Sequence, residues 1–252
     1  MTKSKIALAV VATIFAGAAC AGQIDYRAEY KHNSDEYQHR VKIGSSVKAT
    51  DQAKVYFSVE QKFNSNDKSD YWKEVERGDS EFDWGVRYDL TKNWYIQPGM
   101  PITFSNEKTT YKPQFRVGYK ADFGLTTAIR YRHEFQTYTS DAEGSSTTVD
   151  GESLLRAGKT FQQGKITLTG SYKLPQKSLK NLKLSYEANY NHNYENVRIE
   201  NNKNWGWDAG VIIGYQVNNF QPFIELWNVK GKSGTKTDTR QLRTRVGVKY
   251  KF

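Results

Sequence analysis

An alternation that recurs from Ile24 to the last residue, Phe252, constrains this chain more than any other feature. Every second side chain is apolar and those between are polar or charged. Ile24, Tyr26, Ala28 and Tyr30 begin it, followed by Tyr37, His39, Val41 and Ile43, then Val55, Phe57, Val59 and Phe63. The central runs carry Phe82 to Leu90, Trp94 to Phe104, Tyr111 to Tyr119 and Leu125 to Phe135. The last third carries Ile166 to Leu174, Leu182 to Tyr190, Trp205 to Tyr215, a less regular run near Phe220 to Val229, and Leu242 to Phe252. A period of two places one set on each face of an extended strand. Successive strands of this kind predict an all-β chain, a transmembrane antiparallel up-and-down β-barrel with one face toward lipid and one toward water. The terminal strand is expected to pair as the barrel closes, and to present Phe252 to the barrel-assembly machinery.

Export is expected from the other end of the chain. Lys3 and Lys5 form a charged segment, Ile6 to Ala16 an apolar core too short to span a bilayer, and Ala19-Cys20-Ala21 a small-residue cleavage site. Residues 1–21 therefore read as a signal peptide and 22–252 as a single barrel domain of the bacterial outer membrane. Gly17 stands where a lipoprotein signal wants a branched apolar residue, so ordinary cleavage is favoured over acylation of Cys20. The mature chain then has no cysteine, hence no disulfide framework. Without Lys3 and Lys5 the formal charge falls from +10 to +8.

A mean hydropathy of −0.78 rules out a bundle of apolar helices, because each helical span needs about 20 apolar residues. A barrel needs only alternate ones. The 17 Tyr, 12 Phe and 6 Trp supply interfacial girdles, and only 5 Pro interrupt strands. A soluble basic β-domain binding nucleic acid would leave the signal and the terminal Phe252 to separate explanations, so no nucleic-acid partner is expected. Outer-membrane lipid and lipopolysaccharide are the expected surroundings.

Short turns are expected at Ala49 to Gln52, Leu90 to Asn93, Lys120 to Gly124 and Gln216 to Asn219. Long loops are expected at Asn64 to Asp79, Thr139 to Asp150, Asn196 to Asn204 and Lys230 to Asp238. Leu155, Ala157 and Phe161 alternate on odd numbers, and Ile166, Leu168 and Tyr172 on even ones. A bulge at Gly164 within one long strand would reconcile the two phases and give twelve strands. A turn at Gln162 to Lys165 would give fourteen instead.

Charge lies on the opposite face. Arg27, Lys31, Arg40, Lys42, Lys54, Lys62, Arg87, Lys112, Arg116, Lys120, Arg130, Arg132, Lys183, Arg243, Arg245, Lys249 and Lys251 are inward by phase. Against these 17 cations stand Asp25, Glu29, Glu60, Asp83, Asp89, Glu134, Glu187 and Asp208, 8 anions. Fixed positive charge around a confined aqueous path favours anions, and arginine offers a fork that matches a carboxylate. Candidate pore-lining residues are Arg27, Arg40, Lys42, Arg87, Arg116, Arg130, Arg132, Arg243 and Arg245. Tyr56 and Tyr95 would offer ring faces to a sugar. Lys249 and Lys251 read alternatively as markers of the periplasmic rim. The bland alternative is a plug, in which the anions neutralise cations and the barrel conducts nothing.

Catalysis finds little support in the sequence. His39 and His133 lie in the outward phase, His32 and His192 near loops, and His32-Asn33-Ser34 is a local trio of the sort chance supplies in polar loops. No metal-ligand spacing, phosphate-binding glycine loop or solenoid repeat is present, so no cofactor is expected.

The segments Trp94-Tyr95-Ile96-Gln97-Pro98-Gly99-Met100, Phe104-Ser105-Asn106, Thr110-Tyr111-Lys112-Pro113, Ile129-Arg130-Tyr131-Arg132-His133-Glu134-Phe135 and Arg245-Val246-Gly247-Val248 resemble the oligogalacturonate-specific porin family. The resemblance implies a monomeric twelve-stranded barrel whose lysines and arginines line a narrow pore for acidic oligosaccharides, with Arg130, Arg132 and then Arg245 carried over first. Residues Glu152 to Gly164 form a longer stretch than the family's usual hairpin. The expected function is passive uptake of acidic oligosaccharides, oligouronates first. Sialic acid or oligoalginate are alternatives within that class, and a non-conducting structural or adhesive barrel the alternative outside it.

Overall fold

The structure, a computed structural model, describes residues 21–65, 70–200, 202–231 and 240–252. The expected signal lies, apart from Ala21, outside the described residues. Sixteen strands follow in order: β1 Ala21–Lys31, β2 Glu36–Lys48, β3 Ala53–Ser65, β4 Val75–Asp89, β5 Trp94–Gly99, β6 Ile102–Phe104, β7 Lys108–Tyr111 and β8 Gln114–Lys120. Then come β9 Leu125–Tyr138, β10 Ser145–Thr147, β11 Ser153–Leu155, β12 Thr160–Lys173, β13 Leu182–Asn193, β14 Trp205–Tyr215, β15 Phe220–Lys230 and β16 Arg240–Lys251.

Two pairs of these are single staves, each broken by a proline. Between β5 and β6 the chain runs through Met100-Pro101, and between β7 and β8 through Lys112-Pro113. Proline has no N–H to give the ladder, and the two breaks lie beside each other, with Lys112 N donating to Pro101 O at 2.9 Å. Counted as staves, β5 with β6 and β7 with β8, the wall has twelve positions. All neighbours are antiparallel, and β1 pairs with β16 from Gln23↔Lys251 to Lys31↔Arg243, which closes the ring. Past that ladder Gly22 and Phe252 exchange both backbone hydrogen bonds at 3.0 Å.

Burial is inverted relative to a water-soluble core. Ile129, Val211 and Val246 are about half exposed, while Asp25, Glu29 and Thr167 are almost fully buried. In a closed barrel this places the apolar set outside and the charged set inside. The expected outward phases hold in every regular strand. β15 read as irregular because Phe223, Trp227 and Val229 are apolar and buried inside while Ile224 and Leu226 face out, so the alternation is geometrically intact and only its chemical contrast is lost.

The expected bulge at Gly164 is absent. Gly164 keeps register with His133 on one side and His192 on the other, so Gln162 to Lys165 is neither bulge nor turn. Leu155 belongs instead to β11, which pairs with β10 outside the wall. Phe161 is buried inside, edge-on to Tyr138 at 5.5 Å between ring centroids. The odd residues were therefore never part of the outer set. A register shift does occur at Gln61/Phe63 against β4, where the Gln61 side-chain amide donates to Gly78 O at 3.1 Å.

The links between β2 and β3, β4 and β5, β8 and β9, β12 and β13, and β14 and β15 share one end with Gly22 and Phe252. The longer links lie at the other end. Three departures stand out: on the long-loop side β1 and β2 are joined by only residues 32–35 and β6 and β7 by only residues 105–107, and on the short side residues 174–181, with a 3-10 turn at Lys177–Leu179, make the longest link. The loop expected at Asn64 to Asp79 is shorter, because β3 and β4 extend into it, and that expected to end at Asp150 runs on to residue 159. The expected loop Lys230 to Asp238 lies, beyond Gly231, outside the described residues. On the long-loop side the β10–β11 hairpin is tied to the link after β13. Val149 N donates to Asn196 O at 2.9 Å, Arg198 N to Thr147 O at 2.9 Å, and Asn196 Nδ2 to Asp150 at 2.6 Å.

Candidate functional site

The inward charges form two stripes. One lies on β16, β1 and β2 and contains Arg243, Arg245, Arg27, Arg40, Lys42 and Lys249. The other lies on β8 and β9 and contains Arg116, Arg130 and Arg132. In a ring of twelve staves β1 and β9 are six steps apart either way, so the stripes face each other across the interior.

Most of the first stripe is paired. Arg40 binds Asp25 at 2.5 Å and Glu60 at 3.2 Å. Arg245 binds Glu29 at 2.6 Å and Glu225 at 3.1 Å, and Glu225 also accepts the Trp227 indole N–H at 2.8 Å. Arg243 lies 3.9 Å from Glu29, Lys42 4.0 Å from Glu60, and Lys249 3.8 Å from Asp25. Arg27 stands directly opposite Arg40 in the ladder and, among the described residues, has no carboxylate within ion-pair distance.

The second stripe is less neutralised. Arg116 stands directly opposite Arg130, and neither makes an ion pair among the described residues. Arg130 donates to Thr167 Oγ1 at 2.9 Å, and Thr167 donates to Asn189 Oδ1 at 2.8 Å. Arg132 donates twice to Gln114 Oε1, at 3.0 and 2.8 Å, and has Glu134 at 3.9 Å. Among the described residues, the buried Nε–H groups of Arg27, Arg40, Arg130 and Arg243 have no hydrogen-bond partner. A donor of that kind is costly when it stays unmet.

Acidic groups occupy the flanks between the stripes. On β4, Glu81 binds Lys112 at 2.8 Å and accepts from Thr103 at 2.8 Å, and Asp83 Oδ1 has no partner among the described residues. Across the interior, Asn189 donates to Glu187 at 3.0 Å and to Asp208 at 2.8 Å. Near the long-loop end a cavity of about 530 Å³ opens beside Lys31, Asn191, Asp208 and Arg243.

One expectation changes here, that Tyr56 and Tyr95 offer ring faces to a sugar. Arg87 belongs to neither stripe, since it lies near the short-turn end, binds Asp89 at 3.1 Å and covers the Tyr95 ring at 3.6 Å. Tyr95 therefore offers no free ring face; it lies buried against the wall over Gly118. Tyr56 lies likewise against Gly85 and Gly99. The trio His32-Asn33-Ser34 does not assemble as a catalytic group: His32 Nε2 meets Thr244 Oγ1 at 2.9 Å, while Asn33 N and Ser34 turn to Gln241. His39, outward as expected, is covered by the loop before β4. Its Nε2 meets Tyr71 O at 2.8 Å and its ring stacks on Trp72 at 4.1 Å. Sequence reasoning passed over Glu81, Glu225, Lys108, Lys165 and Lys173. Glu81 was open to the phase of Asp83, Glu225 was hidden by the apolar inner face of β15, and Lys165 by the supposed bulge beside it.

The family described as oligogalacturonate-specific porin protein (KdgM) matches residues 15–252, which takes in every strand from β1 to β16. The chain belongs to the oligogalacturonate-specific porin family. Its relatives include the oligogalacturonate-specific porin KdgM of Dickeya dadantii (strain 3937), 26% identical over 255 residues, 99% of this chain and 100% of that one. The N-acetylneuraminic acid outer membrane channel protein NanC of Escherichia coli (strain K12) is 21% identical over 258 residues, 100% of both chains. The solved structure described as the KdgM porin in complex with disordered oligogalacturonate superposes with a TM-score of 0.60 at 20% identity, covering 91% of this chain and 99% of that one. This member of the porin family is thus an outer-membrane β-barrel of the porin type. Its KdgM and NanC relatives are channel proteins rather than enzymes.

Proposed function

We propose that this porin passes acidic oligosaccharides, oligouronates first, into the periplasm by passive diffusion through an anion-selective interior. The observation that carries the proposal is the pair of facing arginine stripes, in which Arg27, Arg116 and Arg130 lack carboxylate partners among the described residues. A carboxylated sugar between the stripes can exchange water for guanidinium forks on either side, each contact weak enough to be released. Among inward residues Lys108, Lys165 and Lys173 join the cations and Glu81 and Glu225 the anions, so cations still outnumber anions about two to one. The names of the Dickeya relative and of its sugar complex support a uronate substrate, and the NanC relative makes sialic acid the closest competitor. The channel acts as a monomer and performs no chemistry on its cargo.

The test is the zero-current potential under a salt gradient in a planar bilayer, before and after adding oligogalacturonate. Anion preference with sugar-dependent block is expected, and Arg116→Ala with Arg130→Ala should reduce both. A folded wild-type barrel without conductance would mean that the ion pairs form a plug. Unchanged selectivity in the double variant would remove the second stripe from the pore.

A further inference from the structure

The carboxylates at the short-turn end are nearly all committed. Asp51 holds Lys48 at 2.6 Å, Asp122 holds Lys92 at 3.6 Å, and Asp89 is shared by Arg87 at 3.1 Å and Lys120 at 3.3 Å. Asp25 faces Lys249 at 3.8 Å. Four inward lysines at that end have, among the described residues, no carboxylate within ion-pair distance: Lys54 on β3, Lys173 on β12, Lys183 on β13 and Lys251 on β16. All four are exposed. Lys251 donates at 3.0 Å to the neutral amide of Gln216.

Strand register makes this arrangement unfavourable by itself. Lys173 stands directly opposite Lys183. Lys54 stands opposite Lys48 on one side and Arg87 on the other. Like charges directly opposite across a ladder are destabilising, and other residues at these positions would relieve the repulsion at once. The same signature marks the two stripes, where Arg27 faces Arg40 and Arg116 faces Arg130. The long-loop end is richer in carboxylates: Glu36 holds Lys31 and Glu200 holds Arg240, both at 2.6 Å, and Glu107, Asp141, Glu143, Asp150 and Glu195 lie in its links. The inward Lys108 there donates to the neutral Gln136 side chain at 2.8 Å.

We propose that Lys54, Lys173, Lys183 and Lys251 form a second anion-binding station at the short-turn mouth, which takes the carboxylates of an acidic oligosaccharide as it leaves the arginine stripes. The station serves the passage proposed above and depends on it. Net fixed charge then rises along the axis from the long-loop mouth to the short-turn mouth, and a pore whose fixed charge is asymmetric conducts asymmetrically when screening is weak. It also binds a polyanion more readily from its charged end.

Single-channel currents at both polarities in symmetric, dilute potassium chloride test this, with oligogalacturonate then added to one chamber or the other. A Ser178→Cys substitution in the turn before β13, labelled from one chamber, reports orientation. Wild-type currents should be asymmetric, with block from the short-turn side needing about tenfold less sugar, the sum of four exposed charges each contributing modestly. Replacing all four lysines by glutamine should abolish both asymmetries and keep anion preference, which the stripes set. Equal block from the two sides in the wild type, or unchanged asymmetry in the variant, would overturn the station. Loss of anion preference in the wild type itself would overturn the parent proposal, and is read separately from the zero-current potential. Lys183→Gln should leave thermal unfolding unchanged or higher, because it removes repulsion; a purely structural lysine would lower it.

Discussion

Arg245 and Arg116 are both inward arginines in sequence, yet the structure gives them different work. Arg245 lies between Glu29 and Glu225, both buried, so Arg245→Ala would strand two carboxylates. Breaking a buried pair in this way costs about 3–5 kcal/mol. Arg116 has no such partner among the described residues, and its removal beside Arg130 relieves a like-charge contact. Urea unfolding of the folded barrels should therefore show a large loss for Arg245→Ala and less than about 1 kcal/mol for Arg116→Ala, with selectivity changing most in the second. Equal destabilisation would show that Arg116 has a structural partner. The inward phase of all nine candidates was legible in the sequence, because phase is local. Their division into paired and unpaired was not, because it depends on register between distant segments: Glu29 and Arg245 are 216 residues apart.

Among the strands, the sequence revealed most where the two faces differ chemically and least where they do not. The outward aromatics and most turns followed from period alone, whereas the expected count of twelve leaned on a bulge at Gly164 that is absent and holds because Leu155 lies in a hairpin outside the wall. β15 and the stretch before β12 did not follow from period, since aromatics such as Trp227 and Phe161 sit inside. Three inner aromatics share a feature that period cannot show: each lies over a glycine on the next stave. Trp227 covers Gly210, Phe223 covers Gly247 and Tyr95 covers Gly118. A methyl group on Gly118 would fall 2.1 Å from Tyr95 Cζ, far inside contact distance. Gly118→Ala should therefore destabilise the barrel by about 1–3 kcal/mol, the usual cost of overpacking. Adding Tyr95→Leu should recover part of the loss, giving a non-additive cycle in urea unfolding. Additive effects would mean that the ring is free to swing into the interior, where it could meet a sugar after all.

For the whole molecule, closure is the event that creates the pore, and it joins the first strand to the last. Gly22 and Phe252 exchange two backbone hydrogen bonds beyond the β1–β16 ladder, and the Phe252 ring occupies the space beside Gly22 where a side chain would otherwise lie. An unclosed sheet of this length would leave two strand edges unpaired in a medium that offers no hydrogen bonds. Deleting Phe252 removes both bonds and the terminal aromatic, yet touches none of the inward charges. The fraction of chains reaching the folded, heat-modifiable form in cells should fall severalfold, while channels that do form should keep the wild-type zero-current potential. Normal assembly would show that the preceding ladder is sufficient for closure. Altered selectivity in the assembled fraction would show that the seam sets the shape of the pore as well as sealing it, and would place β1 and β16, which carry four of the six cations of the first stripe, under the control of the terminal residue.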